Sequence, residues 1–366
     1  MSGCERWNNI SGRPEMQRAG MAGYNLRMAQ RKSKRERCDV AMLVDEETGV
    51  LRKSGRFVPD RGSMESHVYN ALRARYPRVA VVPFGPDVVA TMTVLRKLRP
   101  CIVFNLTEWV DGDRKLDHAI TGLLEMMKLR YTGTGPLGMQ LCRDKALSKS
   151  IVVAAGVDVP RCFTLGRGDR IENPGLPFPL IVKPQFGDGS DEINKASLVK
   201  TPLELRRRVR AIRSRLHAPV VCEEFISGRD LYVGIIGNEP RVLAPTEMTV
   251  GSRKASAPKF ATYRLKNDGS YRTRWRVRYR LAVLPTRVQR QIVEFSKKIF
   301  RALQLRDYAR LDFRLTDAGR VVFIEANPNS DLTPNTLGHN LCFVGIEYHN
   351  LIPRIVETAR KRYRGR

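Results

Sequence analysis

A short stretch near the carboxyl end of the chain concentrates residue types that bind metal ions. The segment YARLDFRLTDAGRVVFIEANPNSD contains two runs of alternating apolar and polar residues joined by the turn signal DAG, a pattern typical of a β-hairpin. If the turn centres on the Ala-Gly of that signal, Asp312 lies opposite Glu325. The same register places Arg310 opposite Asn327. Two facing carboxylates repel each other, and oxygen ligands on a rigid hairpin suit Mg²⁺, which is usually held by one or two carboxylates together with phosphates.

We therefore predict a metal site formed by Asp312, Glu325 and Asn327. The alternative is a surface carboxylate pair that Arg310 and Arg314 neutralise. The other face of the hairpin is apolar and suits a protein core. The cross-strand pairs expected there are Leu311 with Ala326, Phe313 with Ile324, and Leu315 with Val322. A bulge would shift this register by one residue.

A glycine-containing loop in the middle of the chain provides groups suited to phosphate. Lys183 ends an apolar run that predicts a strand, and the loop QFGDGSDE follows it. Gly187 and Gly189 allow backbone N–H groups to approach anionic oxygens, and Ser190 adds a hydroxyl. The stretch does not match the Walker A pattern GxxxxGK[ST], which disfavours a P-loop nucleotidase.

Strands and helices alternate in the first part of the chain. The hydrophobic spacing predicts strands over residues 40–44, 78–84 and 101–106, and helices over residues 64–76, 87–98 and 115–128. Such alternation favours a doubly wound parallel sheet, whose ligands bind at the carboxyl ends of the strands. Glu108 follows the third of these strands, so it either contacts an amino group of a substrate or is a solvated loop carboxylate.

In the second part of the chain, the sequence predicts helices and strands without regular alternation. A helix is expected over residues 150–155, and Thr201 with Glu204 forms a capping-box pattern that begins an arginine-rich helix. Residues 271–279 alternate strictly, with arginines on one side, which predicts an edge strand that is either solvated or an anion track. A further helix is predicted from Thr286 onwards.

The composition is that of a water-soluble globular protein. Of the 366 residues 42% are hydrophobic and 28% charged, and no run approaches the roughly 18 uncharged apolar residues of a membrane helix. The N-terminus lacks the apolar run of a signal peptide. The seven cysteines are scattered without CxxC spacing, which indicates neither a disulfide framework nor a zinc site. These features predict a cytoplasmic protein.

The net charge of +28 is unusual. It favours anionic partners such as nucleic acids or anionic small molecules, although a solvated basic surface would give the same value. Residues 1–37 contain nine Lys/Arg against three Asp/Glu and show no apolar periodicity, so we predict a disordered basic tail there.

The order of motifs resembles the ATP-grasp superfamily, and within it the D-alanine:D-alanine ligase-like branch. The motifs that carry the resemblance are VFNLTEWVDGD, YTGTGP with LCRDKALSK, FPLIVKPQFGDGSDEI, CEEFISGRDLYVGII, ATYRLKND, and YARLDF with FIEANPNSDLTPNT. The resemblance implies an α/β protein in which a preATP-grasp domain with a doubly wound parallel sheet occupies residues 38–144. A two-lobed α+β ATP-grasp domain is expected over residues 145–366.

The resemblance also implies a set of site residues. The residues expected to bind ATP are Lys145, Lys183, Glu223, Glu224, Phe225, Ile226 and Asp230. Asp312, Glu325 and Asn327 match ligands of two Mg²⁺ ions, with Mn²⁺ as an alternative metal. Arg310, Lys266 and Ser190 match the catalytic group. In the family, the arginine stabilises a tetrahedral intermediate and the lysine lies in a flap over the γ-phosphate.

The activity implied is ATP-dependent formation of a peptide or amide bond through an acyl phosphate, acting on small amino-acid-like substrates. The sequence departs from the dipeptide ligases in the N-terminal glutamate motif, which is replaced by LVDEETGV, and in Asn267, where a flap tyrosine is expected. These changes disfavour D-alanine and favour a larger or anionic substrate. A kinase of a small anionic substrate and a nucleic-acid-binding protein with a nucleotide-sensing fold stay open, as does a homodimer.

Overall fold

The computed structural model describes residues 37–187, 192–251, 262–334 and 343–364. Within these ranges the strands are β1 Val40–Asp45, β2 Gly49–Leu51, β3 Phe57–Pro59, β4 Val79–Phe84, β5 Ile102–Asn105, β6 Cys162–Leu165, β7 Leu180–Pro184, β8 Leu198–Val199, β9 Val220–Glu224, β10 Arg229–Ile236, β11 Arg241–Val242, β12 Thr246–Val250, β13 Val277–Leu281, β14 Tyr308–Leu315 and β15 Val321–Pro328. The α-helices are α1 Met64–Arg75, α2 Val88–Leu98, α3 Asp117–Met126, α4 Pro136–Arg143, α5 Lys145–Ala154, α6 Pro202–Leu216, α7 Tyr263–Asn267, α8 Gly269–Arg274, α9 Thr286–Ala302 and α10 Tyr348–Arg362.

The first sheet is parallel and has the strand order β4-β1-β5. Every residue of β1 is buried, because helices cover both faces of the sheet. Val40, Met42 and Val44 pack in one core with α1 and α10, whereas Ala41 and Leu43 pack in another with α2 and α3. The predicted doubly wound sheet is therefore confirmed, and the C-terminal helix α10 returns to pack against α1.

Two further sheets follow along the chain. The smaller has the order β6-β9-β7-β8 and is antiparallel, and α6 buries its apolar stripe against it. The larger has the order β13-β12-β10-β14-β15, with β11 paired to β10. The arrangement agrees with the expected two α+β lobes, and the proposed boundary at residues 144 and 145 falls between α4 and α5.

The predicted hairpin is formed by β14 and β15. Asp312 pairs with Glu325, and Arg310 pairs with Asn327, as the sequence predicts. Beyond Asp312 the register shifts by one residue, so Phe313 pairs with Phe323 and not with the expected Ile324. The pairs up to Asp312, including Leu311 with Ala326, keep their predicted register, whereas all pairs beyond it are shifted. Phe313 and Phe323 meet there edge to face at a centroid distance of 6.0 Å.

The prediction of a strand over residues 271–279 was wrong for the first half of that range. Residues 269–274 form α8, whose N-cap residue Asp268 accepts a hydrogen bond from the Tyr271 N–H. Tyr271 and Trp275 are four residues apart and are both buried, with ring centroids 6.1 Å apart. The helical spacing of two large aromatic residues outweighs the alternation of arginines, and only β13 is extended.

Other predicted helices agree closely with the structure. The Thr201 side chain caps α6 by accepting a hydrogen bond from the Glu204 N–H, and α9 begins at Thr286. The helix expected over residues 150–155 begins earlier, at Lys145, because Asp144 accepts hydrogen bonds from the N–H groups of residues 146 and 147. Among the described residues, no helix has both the length and the apolar character required to span a bilayer.

Candidate functional site

A narrow cavity lies between the two antiparallel sheets and gathers most of the predicted nucleotide-binding residues. The predicted residues that line it are Lys183, Glu223, Glu224, Phe225, Ile226, Asp230, Asp312 and Glu325. They come from β7, from β9 and the residues after it, and from β10, β14 and β15, so the cavity depends on both sheets. Five elements that are distant in sequence therefore form a single site.

A larger cavity, of about 520 Å³, adjoins it. Lys145, Arg310 and Asn327 line this cavity together with Glu325, which also lines the narrow one. Its remaining wall comes from the loop after β5 and from α3 and α4. Glu325 thus lies where the two cavities meet.

The polar face of the hairpin provides the oxygen groups expected of a metal site. Asp312 and Glu325 are cross-strand partners, and Asn327 follows on the same strand two residues later. Arg310 Nε lies 2.7 Å from Asp312 Oδ1, so this arginine already neutralises part of the carboxylate charge. The Asn327 Nδ2 atom is buried and has no hydrogen-bond partner among the described residues.

These donors fit Mg²⁺. All three side chains offer oxygen, which a hard divalent cation prefers. Within the described ranges, no group of three or more His, Cys, Asp or Glu side chains could hold a metal ion, so a bound Mg²⁺ here requires the amide oxygen and oxygens from a phosphate as well. That requirement matches a site beside nucleotide phosphates.

A buried cluster of three charged residues lies at the base of the narrow cavity. Glu223 Oε1 is 2.8 Å from Lys149 Nζ, and Glu223 Oε2 is 2.8 Å from Lys183 Nζ. Burial alone would raise the pKa of the Glu223 carboxyl, but the charges of the two lysines hold that pKa below its ordinary value. The Glu223 carboxylate is therefore ionised and occupied by lysines.

Lys145 is held close to the glycine-containing loop. Its Nζ donates a hydrogen bond of 2.6 Å to the Gly187 carbonyl, and its backbone N–H donates to the Gln185 carbonyl. The Lys149 Nζ in turn lies 3.3 Å from the Lys145 carbonyl oxygen. One helix, α5, thus carries both Lys145, which lines the larger cavity, and Lys149, which lies in the buried cluster.

Asp230 forms an ion pair in the structure. Arg314 Nε lies 2.8 Å from Asp230 Oδ1, and the guanidinium carbon of Arg314 is 5.6 Å from the centroid of the Phe225 ring. This arginine therefore borders both the position expected for ribose and the position expected for adenine.

The wall that faces the hairpin is organised by Asp45, the last residue of β1. Its carboxylate accepts hydrogen bonds from the backbone N–H groups of Glu108 and Trp109 and so fixes the loop after β5. Burial, together with the negative charges of Glu65 and Glu47, raises the pKa of Asp45 to about 7.

Among the described residues, the charged side chains that line the larger cavity are balanced. The acidic residues are Glu108, Asp117, Glu325 and Asp331, and the basic residues are Arg114, Arg143, Lys145 and Arg310. Several of them pair directly: Arg114 with Glu108, and Arg143 with Asp117. The strong positive charge of the whole chain is therefore not reproduced in this cavity.

Two residues predicted to be catalytic are only partly covered by the structure. Ser190 lies outside the described residues. Lys266 belongs to the short helix α7, whose first residue, Tyr263, lines the larger cavity. Their predicted roles stay predictions.

Sequence reasoning missed Lys149, Asp45 and the pair of Arg143 with Asp117. For Lys149 a signal existed, because it follows Lys145 by four residues in DKALSK and so lies on the same face of a helix. For Asp45 no local pattern was available, since its hydrogen-bond partners lie 63 and 64 residues away.

Comparison with known proteins agrees with this geometry. Residues 152–357 match the family model described as the C-terminus of D-ala D-ala ligase. The chain is 31% identical over 282 residues to a Sinorhizobium fredii protein named Uncharacterized protein y4sG, covering 72% of this chain and 76% of that one. It is also 31% identical over 299 residues to the D-alanine–D-alanine ligase of Caulobacter vibrioides, covering 80% of this chain and 86% of that one.

A solved structure has the same fold. The D-alanine–D-alanine ligase of Bacillus anthracis, crystallised with ATP, superposes with a TM-score of 0.66 at 20% identity, covering 90% of this chain and 99% of that one. The matched family model spans more than half of the chain. The chain therefore belongs to the D-alanine–D-alanine ligase family of ATP-grasp proteins, and it is an ATP-dependent carbon–nitrogen ligase.

Proposed function

We propose that this protein joins the carboxylate of one amino acid to the amine of another through an acyl phosphate. The observation that carries the proposal is the position of Glu325, which lines both the narrow cavity and the larger one. A phosphoryl group held there would be next to a substrate in the larger cavity. Phosphoryl transfer needs such positioning and charge neutralisation more than it needs covalent help from the protein.

The proposed reaction has two steps. A carboxylate oxygen of the first substrate attacks the γ-phosphorus of ATP, forming an acyl phosphate and releasing ADP. The amine of the second substrate then attacks the acyl carbon, and inorganic phosphate leaves as the amide forms. Arg310 lies on the hairpin face between the cavities, and its guanidinium would stabilise the negative charge that develops on the acyl oxygen.

ATP would be held by groups from both antiparallel sheets. Lys183 and Lys145 are the candidates for the phosphates, and Phe225 with Ile226 offers an apolar surface to the adenine. Asp230 is the candidate that binds the ribose hydroxyls, which would compete with Arg314 for its carboxylate. The backbone groups of Glu223 and Glu224, at the end of β9, would complete the adenine-binding segment.

Mg²⁺ would be held by Asp312, Glu325 and Asn327, and two ions are expected, with Mn²⁺ as a substitute. When bound, the metal neutralises phosphate charge and so lowers the barrier to transfer.

The expected substrates are zwitterionic amino acids. Among the described residues the larger cavity is lined by four acidic and four basic side chains, two of each already paired, so side chains of both signs are available to an ammonium and a carboxylate group. This balance supports a zwitterion in preference to the anionic substrate that the net charge of the chain favours. A buried charge without a partner is costly, so a balanced lining selects ligands that carry both charges.

The test is a screen of ADP release with pairs of D- and L-amino acids, Mg²⁺ and ATP, with mass spectrometry of the products. Ligation predicts ADP release that depends on both substrates and a product heavier than either. ADP release without any amine would instead indicate a kinase. Asp312→Asn, in the proposed metal site, should abolish ligation. The matched control is Asp317→Asn in the turn of the same hairpin, which should leave activity unchanged.

A further inference from the structure

Lys149 is a buried charged residue to which the proposed reaction assigns no role. Its side chain is 1% exposed, and within the described ranges it forms an ion pair with Glu223. Glu223 and Lys183 are almost as buried, with side chains 3% and 5% exposed. Three ionised groups are thus removed from water within one cluster.

The charges of this cluster do not cancel. Within these three residues two ammonium groups share one carboxylate, with one lysine on each oxygen at 2.8 Å, which leaves one positive charge. The Glu325 carboxylate, on the wall of the narrow cavity, also attracts Lys183, but it is a proposed Mg²⁺ ligand and would be neutralised by the metal. Buried charges require nearby compensation, because desolvation of an ion costs several kcal/mol. The cluster opens on the narrow cavity through Lys183 and Glu223, so the compensating group can enter there.

We propose that Lys149 is a positioning residue that makes Lys183 available to the ATP phosphates. It does so by binding one oxygen of Glu223 and holding the net charge of the cluster at plus one. The proposal rests on the proposed function, because it takes the ligand of Lys183 to be the triphosphate.

The physical reason is competition for Lys183. Without the Lys149 charge, Glu223 and Lys183 would form a neutral buried pair, and a phosphate would have to compete with the carboxylate for the same ammonium group. With Lys149 present, the attraction of Glu223 is divided between two cations. The remaining positive charge then attracts the anionic ligand, since electrostatic interactions are strong where water is excluded.

The geometry fixes which side of Glu223 each lysine occupies. Lys149 belongs to α5 and also lies 3.3 Å from the Lys145 carbonyl oxygen, and it is not among the described residues that line the narrow cavity. Lys183 lines that cavity. Lys149 therefore does not compete with Lys183 for the ligand.

The experiment measures MgATP binding by isothermal titration calorimetry to the full chain without amino acids. Lys149→Met keeps the length of the side chain and removes its charge, and we expect the Kd for MgATP to rise about tenfold, which corresponds to about 1.4 kcal/mol. The double variant Lys149→Met with Glu223→Gln restores one net positive charge on Lys183. Its Kd should return to within about threefold of the wild-type value.

The matched control is Lys298→Met. Lys298 Nζ lies 2.8 Å from Glu294 Oε1, the same separation as in the buried pair, but on the exposed side of α9. Its loss should leave the Kd unchanged. The KM values for the amino acids should also stay within twofold in Lys149→Met, because the proposed effect is confined to the nucleotide.

Three results would overturn the inference. If Lys149→Met lowers the melting temperature but binds MgATP as tightly as the wild type, the residue is only structural. If the double variant binds more weakly than Lys149→Met, charge balance is not the cause. If the single variant does not fold, Glu223→Gln is measured instead, and weaker binding than in the wild type contradicts the proposed competition.

Absence of MgATP binding in the wild type would reject the proposed function together with this inference, whereas normal wild-type binding with an unaffected Lys149→Met rejects the inference alone.

Discussion

The substitution Asp45→Asn should stabilise the protein at alkaline pH and flatten the pH dependence of its stability. Asp45 ends the central strand of the first sheet and is buried, and burial with the charges of Glu65 and Glu47 raises its pKa to about 7. An amide has the same shape and can still accept hydrogen bonds from the N–H groups of Glu108 and Trp109. The variant therefore removes the titration while keeping the contact that holds the loop after β5.

The sign of the effect follows from the two pKa values. The ordinary value of 3.8 applies to the unfolded chain, and about 7 applies to the folded one. Well below pH 4 Asp45 is protonated in both states, so its titration has no effect on stability. As the pH rises from about 4 to 7, the unfolded state loses this proton while the folded state keeps it, so the folded state becomes less stable, and the loss is complete above about pH 7. The difference of about 3 pKa units corresponds to about 4 kcal/mol, since each unit is worth 1.36 kcal/mol.

The assay is thermal unfolding of both proteins between pH 4 and pH 8. At about 2 °C per kcal/mol, the value for larger chains, Asp45→Asn should melt up to about 8 °C higher than the wild type at pH 8 and at the same temperature at pH 4. The matched control is Asp39→Asn, just before the same strand, because a hydrogen bond from Arg78 lowers the pKa of Asp39. That variant should be less stable than the wild type near neutral pH. A lower melting temperature of Asp45→Asn at pH 8 would refute the reasoning and show that the ionised carboxylate stabilises the loop.

Three further predictions concern the site and the tail. Asp312→Asn and Glu325→Gln should each abolish turnover in the ADP-release assay while circular dichroism shows an intact fold, and activity retained by either variant contradicts the metal site. D-alanine alone should be a poor substrate, since the N-terminal glutamate motif and the flap tyrosine of the dipeptide ligases are replaced; a kcat/KM of about 10⁴ M⁻¹s⁻¹ or more would show an ordinary D-alanine–D-alanine ligase. Deletion of residues 1–37 should leave the melting temperature and the ligation rate nearly unchanged, because their composition predicts no packed contacts, and a large loss of stability would show that they dock on the folded part.

Regular elements with strong periodicity could be predicted from the sequence. The fully apolar run in β1 indicates a strand covered on both faces, and the structure covers it with helices on each side. The polar register of the hairpin was also predictable, because a short turn fixes which residues face each other. The bulge after Asp312 was not predictable, since it depends on how Phe313 and Phe323 pack in the core.

Site residues that belong to recognisable motifs could be predicted from the sequence, whereas contacts that form only in the folded chain could not. Lys183 and Glu223 each belong to a recognisable motif, yet nothing in either motif indicates that a third residue, Lys149, completes a buried cluster with them. Glu223 was expected to bind ATP, and in the structure its carboxylate pairs with two lysines. Such contacts depend on how two sheets and a helix pack against each other, and no local sequence pattern indicates that packing.

The net charge of +28 and the lining of the larger cavity lead to different expectations about substrates. Net charge describes the field far from the protein, which salt screens over about 10 Å at 0.1 M. A ligand inside a cavity responds instead to the few side chains within hydrogen-bonding distance, and here acidic and basic groups are equal in number. Much of the excess positive charge lies elsewhere, for example on the exposed arginines of α6, Arg206, Arg207 and Arg210. The substrate is therefore better inferred from the cavity, and the basic surface bears on solubility and on association with polyanions.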